Sequence, residues 1–325
     1  MVGAQAVRVA AVDIGSNTTR LLVAESVPAG LFPRRVEWID RRSIVTGLGQ
    51  GVDATRRLAP EAMDRTVATL EAYGAALRSW RCEAARAVAT AALRDAENRE
   101  EFLERAALAL GLHPEVVSGD DEAALAFTGT TGGVDADPPY LVVDLGGGST
   151  EFVLGTDAPE QSVSVDIGSV RLTERVLGTR PVTPRELSAA RSHVADLLDR
   201  EVDLARRPAT VVGVGGTFTS LAAIHLGLEV HDADTVHGAE LTRDALHELT
   251  DDLALLTVEA TAAIPSLDPA RAPVILGGAV VAEMAVAHVG AEVVLISERD
   301  ILDGIALGLG APGRTAGAQT GAQSG

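Results

Sequence analysis

Two short turns carry the residue types from which a phosphate grip can be built, DIGSNT from Asp13 and DLGGGST from Asp144. In the first, Gly15, Ser16, Asn17 and Thr18 gather consecutive backbone N–H groups with short hydroxyl and amide side chains, which holds phosphate oxygens without many cations. In the second, Gly146, Gly147 and Gly148 precede Ser149 and let backbone approach a ligand where a β-carbon would collide. Asp13 opens one turn and Asp144 the other. A carboxylate beside bound phosphate is repelled unless a divalent metal lies between them, so this position reads as a metal or water-shell ligand. A single such turn is what an ordinary hairpin loop looks like. Here there are two in register: Asp13 laid on Asp144 puts Gly15 on Gly146, Thr18 on Ser149, Thr19 on Thr150 and Leu22 on Val153, an ungapped offset of 131 residues. The spacing predicts duplicated lobes. Arg20 then matches Glu151, giving the shared cleft an anion contact on one side and a carboxylate for metal or water on the other.

Three further segments offer chemistry. SGDDEAAL, from Ser118, clusters Asp120, Asp121 and Glu122 in a helix's first turn. Acidic residues there ordinarily complement the helix dipole, but one facing a phosphate cleft could take a proton from attacking water, its pKa raised by the anionic surroundings. ATAALRDAEN, from Ala89, places Arg94 at the end of a small-residue strand and before a helix, where a guanidinium could clamp phosphate with two N–H bonds. GVGGTFTS, with Gly215, Gly216 and Thr217, is a third glycine turn leading into a helix, and GGAVVAEM, from Gly277, a further one. The histidines form no defensible metal cluster, since His231 and His237 are loosely spaced and the others fall in helical or boundary segments.

These residues need scaffolding that the pattern supplies. Residues 7–13 and 18–25 read as a hairpin, and 140–155 repeat it. Helices are predicted over 60–80, with Pro at a first-turn position, over 95–110, from the Thr183–Pro184–Glu186 capping box to about 204, from Thr242 to about 256, and from about 219. Residues 210–214 read as a buried strand. Strands and helices alternate, so the class is α/β. We place the lobe boundary near Phe127, giving lobes over 1–126 and 127–312, and a disordered tail over 313–325.

The composition narrows the function. A chain of 325 residues, 46% of them hydrophobic, can bury two ordinary cores. Its net charge of -19 argues against a general nucleic-acid or anionic-membrane binder. The sequence has no lysine, which excludes P-loop NTPases and Schiff-base enzymes. Cys82 stands alone, ruling out an internal disulfide and suiting a reducing compartment. No signal peptide is evident, and the apolar stretch 274–296 is interrupted by Glu283, His288 and Glu292. The cytoplasm is the expectation.

With these motifs in view, the chain resembles the exopolyphosphatase and guanosine pentaphosphate phosphohydrolase family, within the actin, sugar-kinase and chaperone ATPase superfamily. The resemblance runs from DIGSNTTRLL through ATAALRDAEN, SGDDEAAL, DLGGGSTEFVL and GVGGTFTS to SERDILDGIALGLG. It implies two ribonuclease-H-like lobes about a cleft, and magnesium-dependent removal of a terminal phosphate from an anionic chain, inorganic polyphosphate or guanosine pentaphosphate. A homodimer is a family expectation. It also implies roles: Glu122 as catalytic glutamate, Asp13, Asp144 and Glu151 as carboxylates organising metal and water, and Asn17, Gly146, Gly147, Gly148, Ser149 and Arg94 as phosphate-binding positions. The sequence departs from the family pattern where Ala124 follows Asp121, Glu122 and Ala123 in place of an arginine, and where Pro273 follows Arg271 and Ala272 in place of an aspartate. The resemblance implies the short type, without the helical C-terminal domain of longer members. An ATP-dependent kinase and a non-catalytic nucleotide sensor stand as alternatives.

Overall fold

The computed structural model describes residues 6–29 and 32–310. The tail expected over 313–325 lies outside them. The first hairpin forms as β1 (Val7–Ile14) and β2 (Thr18–Ala29), continued by β3 (Phe32–Val45), which breaks the apolar alternation with paired arginines and was not foreseen. With β4 (Ala84–Ala89) and β5 (Glu115–Val116) they make a sheet of order β3-β2-β1-β4-β5. The second hairpin is β6 (Tyr140–Leu145) and β7 (Thr150–Gly155), joined by β8 (Pro159–Val165), β9 (Thr210–Val214), β10 (Glu240–Thr242) and β11 (Val293–Ile296) in the order β10-β11-β9-β6-β7-β8. Strand directions match as well as order: the hairpin strands are antiparallel, and β4 and β9 run parallel to β1 and β6. The ribonuclease-H-like lobe is thus present twice, the second with the antiparallel edge strand β10 added.

Both faces of each sheet are covered, which is why β1 and β6 are almost unbroken apolar runs. Ala10, Val12 and Ile14 face the helices Pro60–Trp80 and Arg99–Leu110, while Val9 and Ala11 face Ile301, Leu302 and Ile305 from the far end of the chain. In the second lobe Leu141, Val143 and Leu145 face the large helical core, and Val142 meets Ala123 and Phe127. The helices Gly119–Thr131 and Ile301–Leu309 therefore form a shared middle layer, each lining the sheet of the opposite half of the chain. They cross at backbone contact: a β-carbon on Gly129 would lie 2.0 Å from the Asp300 carbonyl oxygen, and one on Gly304 2.0 Å from that of Leu125. The boundary drawn at 126/127 falls inside the first of these helices, because it must span both lobes.

Two other boundaries differ from expectation. The helix predicted over 95–110 begins at Arg99, after a separate short helix Ala91–Asp95. Asn98 breaks the run by trading its helical role for bonds to the Leu58 backbone, accepting at 2.8 Å and donating at 3.1 Å. The helix expected from about 219 begins at Gly216, because Gly215 at φ 90° turns the chain directly off β9. The capping box of Thr183 and Glu186 forms as predicted, opening the helix Pro184–Glu201. No helix among the described residues is long and apolar enough to cross a membrane.

Candidate active site

The two glycine turns close in the same way. The Gly15 N–H donates to the Thr18 carbonyl and the Gly146 N–H to that of Ser149, both at 3.0 Å. The strands below them are in matching register, Asp13 opposite Arg20 and Asp144 opposite Glu151. The turns meet across the cleft: a β-carbon on Gly147 would lie 3.1 Å from Ser16 Cβ and 3.2 Å from the Asn17 nitrogen, so glycine permits the approach. Between them lies a cavity of about 70 Å³ lined by Asp13, both turns, Arg20, Thr90, Ala91, Glu122, Ser169, the Gly215–Gly216–Thr217 turn and Arg271. That is far below the roughly 300–1,000 Å³ of pockets that enclose a whole small molecule, and suits a single phosphoryl group. A second cavity of about 420 Å³ adjoins it, sharing Arg20, Gly215, Gly216 and Arg271 and continuing past Trp38, Arg41 and Ser43.

Electrostatics divide these groups sharply. Arg20 reaches the cavity already committed: its Nε donates to Asp13 Oδ2 at 2.9 Å and another nitrogen pairs with Asp300, which Arg41 also contacts at 3.0 Å. Burial would raise the Asp300 carboxyl, but Arg20 and Arg41 together hold it below the usual carboxylate range. With Oδ2 held by Arg20, Asp13 Oδ1 is buried without a partner. Burial raises the pKa of Asp13, and that of Asp144 is pushed up to about 7 by burial, with Arg20 opposing and the charges of Glu122, Asp300 and Asp13 adding. Glu122 is likewise raised by burial, against the pull of Arg94.

Two expected site residues stand elsewhere. Arg94 is absent from the cavity lining: within its short helix it turns toward the Ser118-capped helix, donating to Glu122 Oε2 at 2.7 Å and the Val117 carbonyl at 3.1 Å. Its arginine fork orients a carboxylate where phosphate was expected. Glu151, 1% exposed, is also absent from the lining and accepts from Ser164 Oγ at 2.8 Å. Burial and the charges of Glu122 and Asp144 raise it well above the carboxylate range, as befits a group behind the cavity wall. Among the described residues no three acidic, histidine or cysteine side chains converge at ligand spacing, so Asp13, Asp144 and Glu151 do not form a three-carboxylate metal cluster.

Arg271 is the residue that the motifs did not single out. It lines both cavities, and its guanidinium lies over Gly216, where a β-carbon would come within 2.0 Å of it. Among the described residues it has no ion-pair partner, and burial lowers its pKa. Only its setting in the resemblance, beside the departure at Pro273, hinted at it.

The raised Asp144 value fixes the sign of a pH effect. A carboxyl whose folded pKa lies above its unfolded one contributes stability that is full below the ordinary carboxylate range and is lost as pH rises through about 7. Without divalent metal, the thermal midpoint should therefore fall between about pH 5 and about pH 8, and Asp144→Asn should flatten that fall. An Asp144→Asn protein whose midpoint tracks wild type across this range would remove Asp144 as the cause.

Comparison with known proteins agrees with the geometry. The chain is 42% identical over 317 residues to Exopolyphosphatase 2 of Mycobacterium tuberculosis, covering 93% of this chain and 98% of that one. A solved exopolyphosphatase-like protein superimposes with a TM-score of 0.87 at 36% identity, over 93% of this chain and 97% of that one. A Ppx/GppA family member from Aquifex aeolicus does so at 0.79 and 30%, over 94% and 97%. The Ppx/GppA phosphatase family matches this chain over residues 23–309, and the chain belongs to that family.

Proposed function

We propose that the protein is a cytoplasmic exopolyphosphatase that hydrolyses the terminal phosphate of inorganic polyphosphate and releases orthophosphate. The observation that carries this reading is that Glu122, a partly buried carboxylate with raised pKa, lines the same phosphoryl-sized cavity as both glycine turns. The turns hold the terminal group and Arg271 supplies a cation for its oxygens. Glu122 Oε2 is held by Arg94, which leaves Oε1 to orient a water in line and accept its proton. The raised pKa makes Glu122 a stronger base than an exposed glutamate.

The residues fit magnesium on one observation, the orphaned Asp13 Oδ1 among carboxylates whose pKa values burial raises against the pull of Arg20. Magnesium commonly takes one or two carboxylates and completes its shell with water and phosphate oxygens, so the pair Asp13 and Asp144 would hold it, without the third protein ligand first expected in Glu151. When bound it would neutralise charge developing on the phosphoryl oxygens.

Guanosine pentaphosphate would present the same terminal group. The wider cavity favours polyphosphate over it, because the Trp38 ring already carries Arg41 at 4.4 Å and Arg299 at 5.4 Å and is poorly placed to stack on a base. The deciding experiment offers defined-length polyphosphates, guanosine pentaphosphate and ATP separately, with magnesium, and measures orthophosphate. Release from polyphosphate is expected; release from guanosine pentaphosphate alone would reassign the substrate, and no release from any of them would leave the sensor reading in possession.

A further inference from the structure

Arg271 sits in a segment with little stability of its own. It ends a one-turn 3-10 helix, Pro269–Arg271, held by the Asp268 cap and three local backbone bonds, Arg271 N–H to Asp268, Ala272 N–H to Pro269 and Val274 N–H to Arg271. A single turn fixes several dihedral angles for few bonds and does not persist unaided. The next residue, Ala272, is fully buried and its carbonyl accepts from Arg180 Nη1 at 3.0 Å.

Arg180 is itself unusual. Its other terminal nitrogen donates to Thr261 Oγ1 at 2.8 Å and to the Leu253 carbonyl, so one fork joins three separate segments. Every acceptor is neutral. Nε is buried without a partner, and burial lowers the pKa of the group, so the protein keeps a cation here without a compensating carboxylate. A rigid guanidinium reaches three acceptors in fixed directions, which an ammonium cannot do.

We propose that Arg180 is a positioning residue for phosphate binding: it fixes the Ala272 carbonyl and thereby holds the Arg271 guanidinium at the junction of the two cavities. The inference rests on the phosphate-binding part of the proposed function. Arg180 touches no cavity that Arg271 lines, so its effect must pass through the segment between them.

The test is a cycle of four proteins, wild type, Arg180→Ala, Arg271→Ala and the double variant, with Arg180→Lys as the conservative change. Steady-state orthophosphate release gives kcat and KM, calorimetric titration with tripolyphosphate gives affinity, and thermal melts report folding. Arg180→Ala should raise KM and weaken tripolyphosphate binding about ten-fold, the scale of one lost charge-assisted hydrogen bond, with kcat changed much less. Arg180→Lys should recover part of the loss. The double variant should bind no more weakly than Arg271→Ala alone, because a residue acting through Arg271 has nothing left to position. Losses that multiply, or an Arg180→Ala protein with a lowered melting temperature and unchanged KM and affinity, would overturn the proposal. Should Arg180→Ala not fold, Arg180→Lys carries the same cycle. Should wild type bind tripolyphosphate without cleaving any substrate, the hydrolase reading falls and the binding cycle still decides the role of Arg180; wild type that neither binds nor cleaves overturns both.

Discussion

Glu122→Gln protein should release orthophosphate from polyphosphate about 100- to 10,000-fold more slowly than wild type, the contribution typical of a positioned general base. The substitution keeps size and shape but removes the ability to accept a proton. Arg94 donates to Oε2 at 2.7 Å, and an amide oxygen can still receive that bond, so the side chain should stay in place. Substrate affinity should change little, because the turns and Arg271 make the grip. Tripolyphosphate titration beside single-turnover release separates the two effects. Near-wild-type turnover would eliminate Glu122 as the base and direct attention to Asp144, whose carboxyl is pushed up to about 7 and lines the same cavity.

Arg271→Ala should act on the other parameter. Among the described residues the arginines in and around this site are otherwise paired, Arg20 with Asp13 and Asp300, Arg41 with Asp300 and Asp303, and, outside the cavity lining, Arg94 with Glu122. In a chain of net charge -19, one guanidinium without a carboxylate at the mouth of a phosphate cavity is a large share of the local attraction for an anion. Hydrogen bonds to charged groups contribute about 1.5–3 kcal/mol, so its loss should raise KM roughly 10- to 100-fold. The effect should shrink as salt is added, since screening weakens the wild-type attraction first. Arg271→Lys should recover charge without the fork and fall between the two. A KM unchanged at low ionic strength would show that the unpaired guanidinium does not meet the substrate.

What the residues disclosed and what they withheld follow from how local each feature is. The turns were legible because glycine, short polar side chains and a preceding strand are local requirements, and because the copy at Asp144 repeats the one at Asp13. The matching register of Asp13 with Arg20 and of Asp144 with Glu151 follows from the same hairpin. The contact of Arg94 with Glu122 is not legible locally, because the partner is 28 residues away on another helix and the strand pattern around Arg94 gives no sign of the intervening short helix. Glu151 was read from its pairing position alone; whether a strand residue faces a cavity or the layer behind it depends on what covers the sheet. Arg271 was passed over because PSLDPARAPV reads only as a loop. The meeting of Arg20 with Asp300, 280 residues apart, could not be read from either neighbourhood.

The exchanged helices of the middle layer bear on how the chain is made. A ribosome delivers β1 and β2 early, yet the face of the first sheet that carries Val9, Ala11 and Leu22 is covered by Ile301, Leu302 and Ile305. Throughout synthesis of the second half, the first half must wait with an apolar surface open to solvent and to neighbouring nascent chains. The phosphate grip shares that delay, since Asp300, which helps to hold Arg20, arrives with the same late helix. Closure of that face, and with it the pairing of Arg20 with Asp300, therefore waits on the helix Ile301–Leu309.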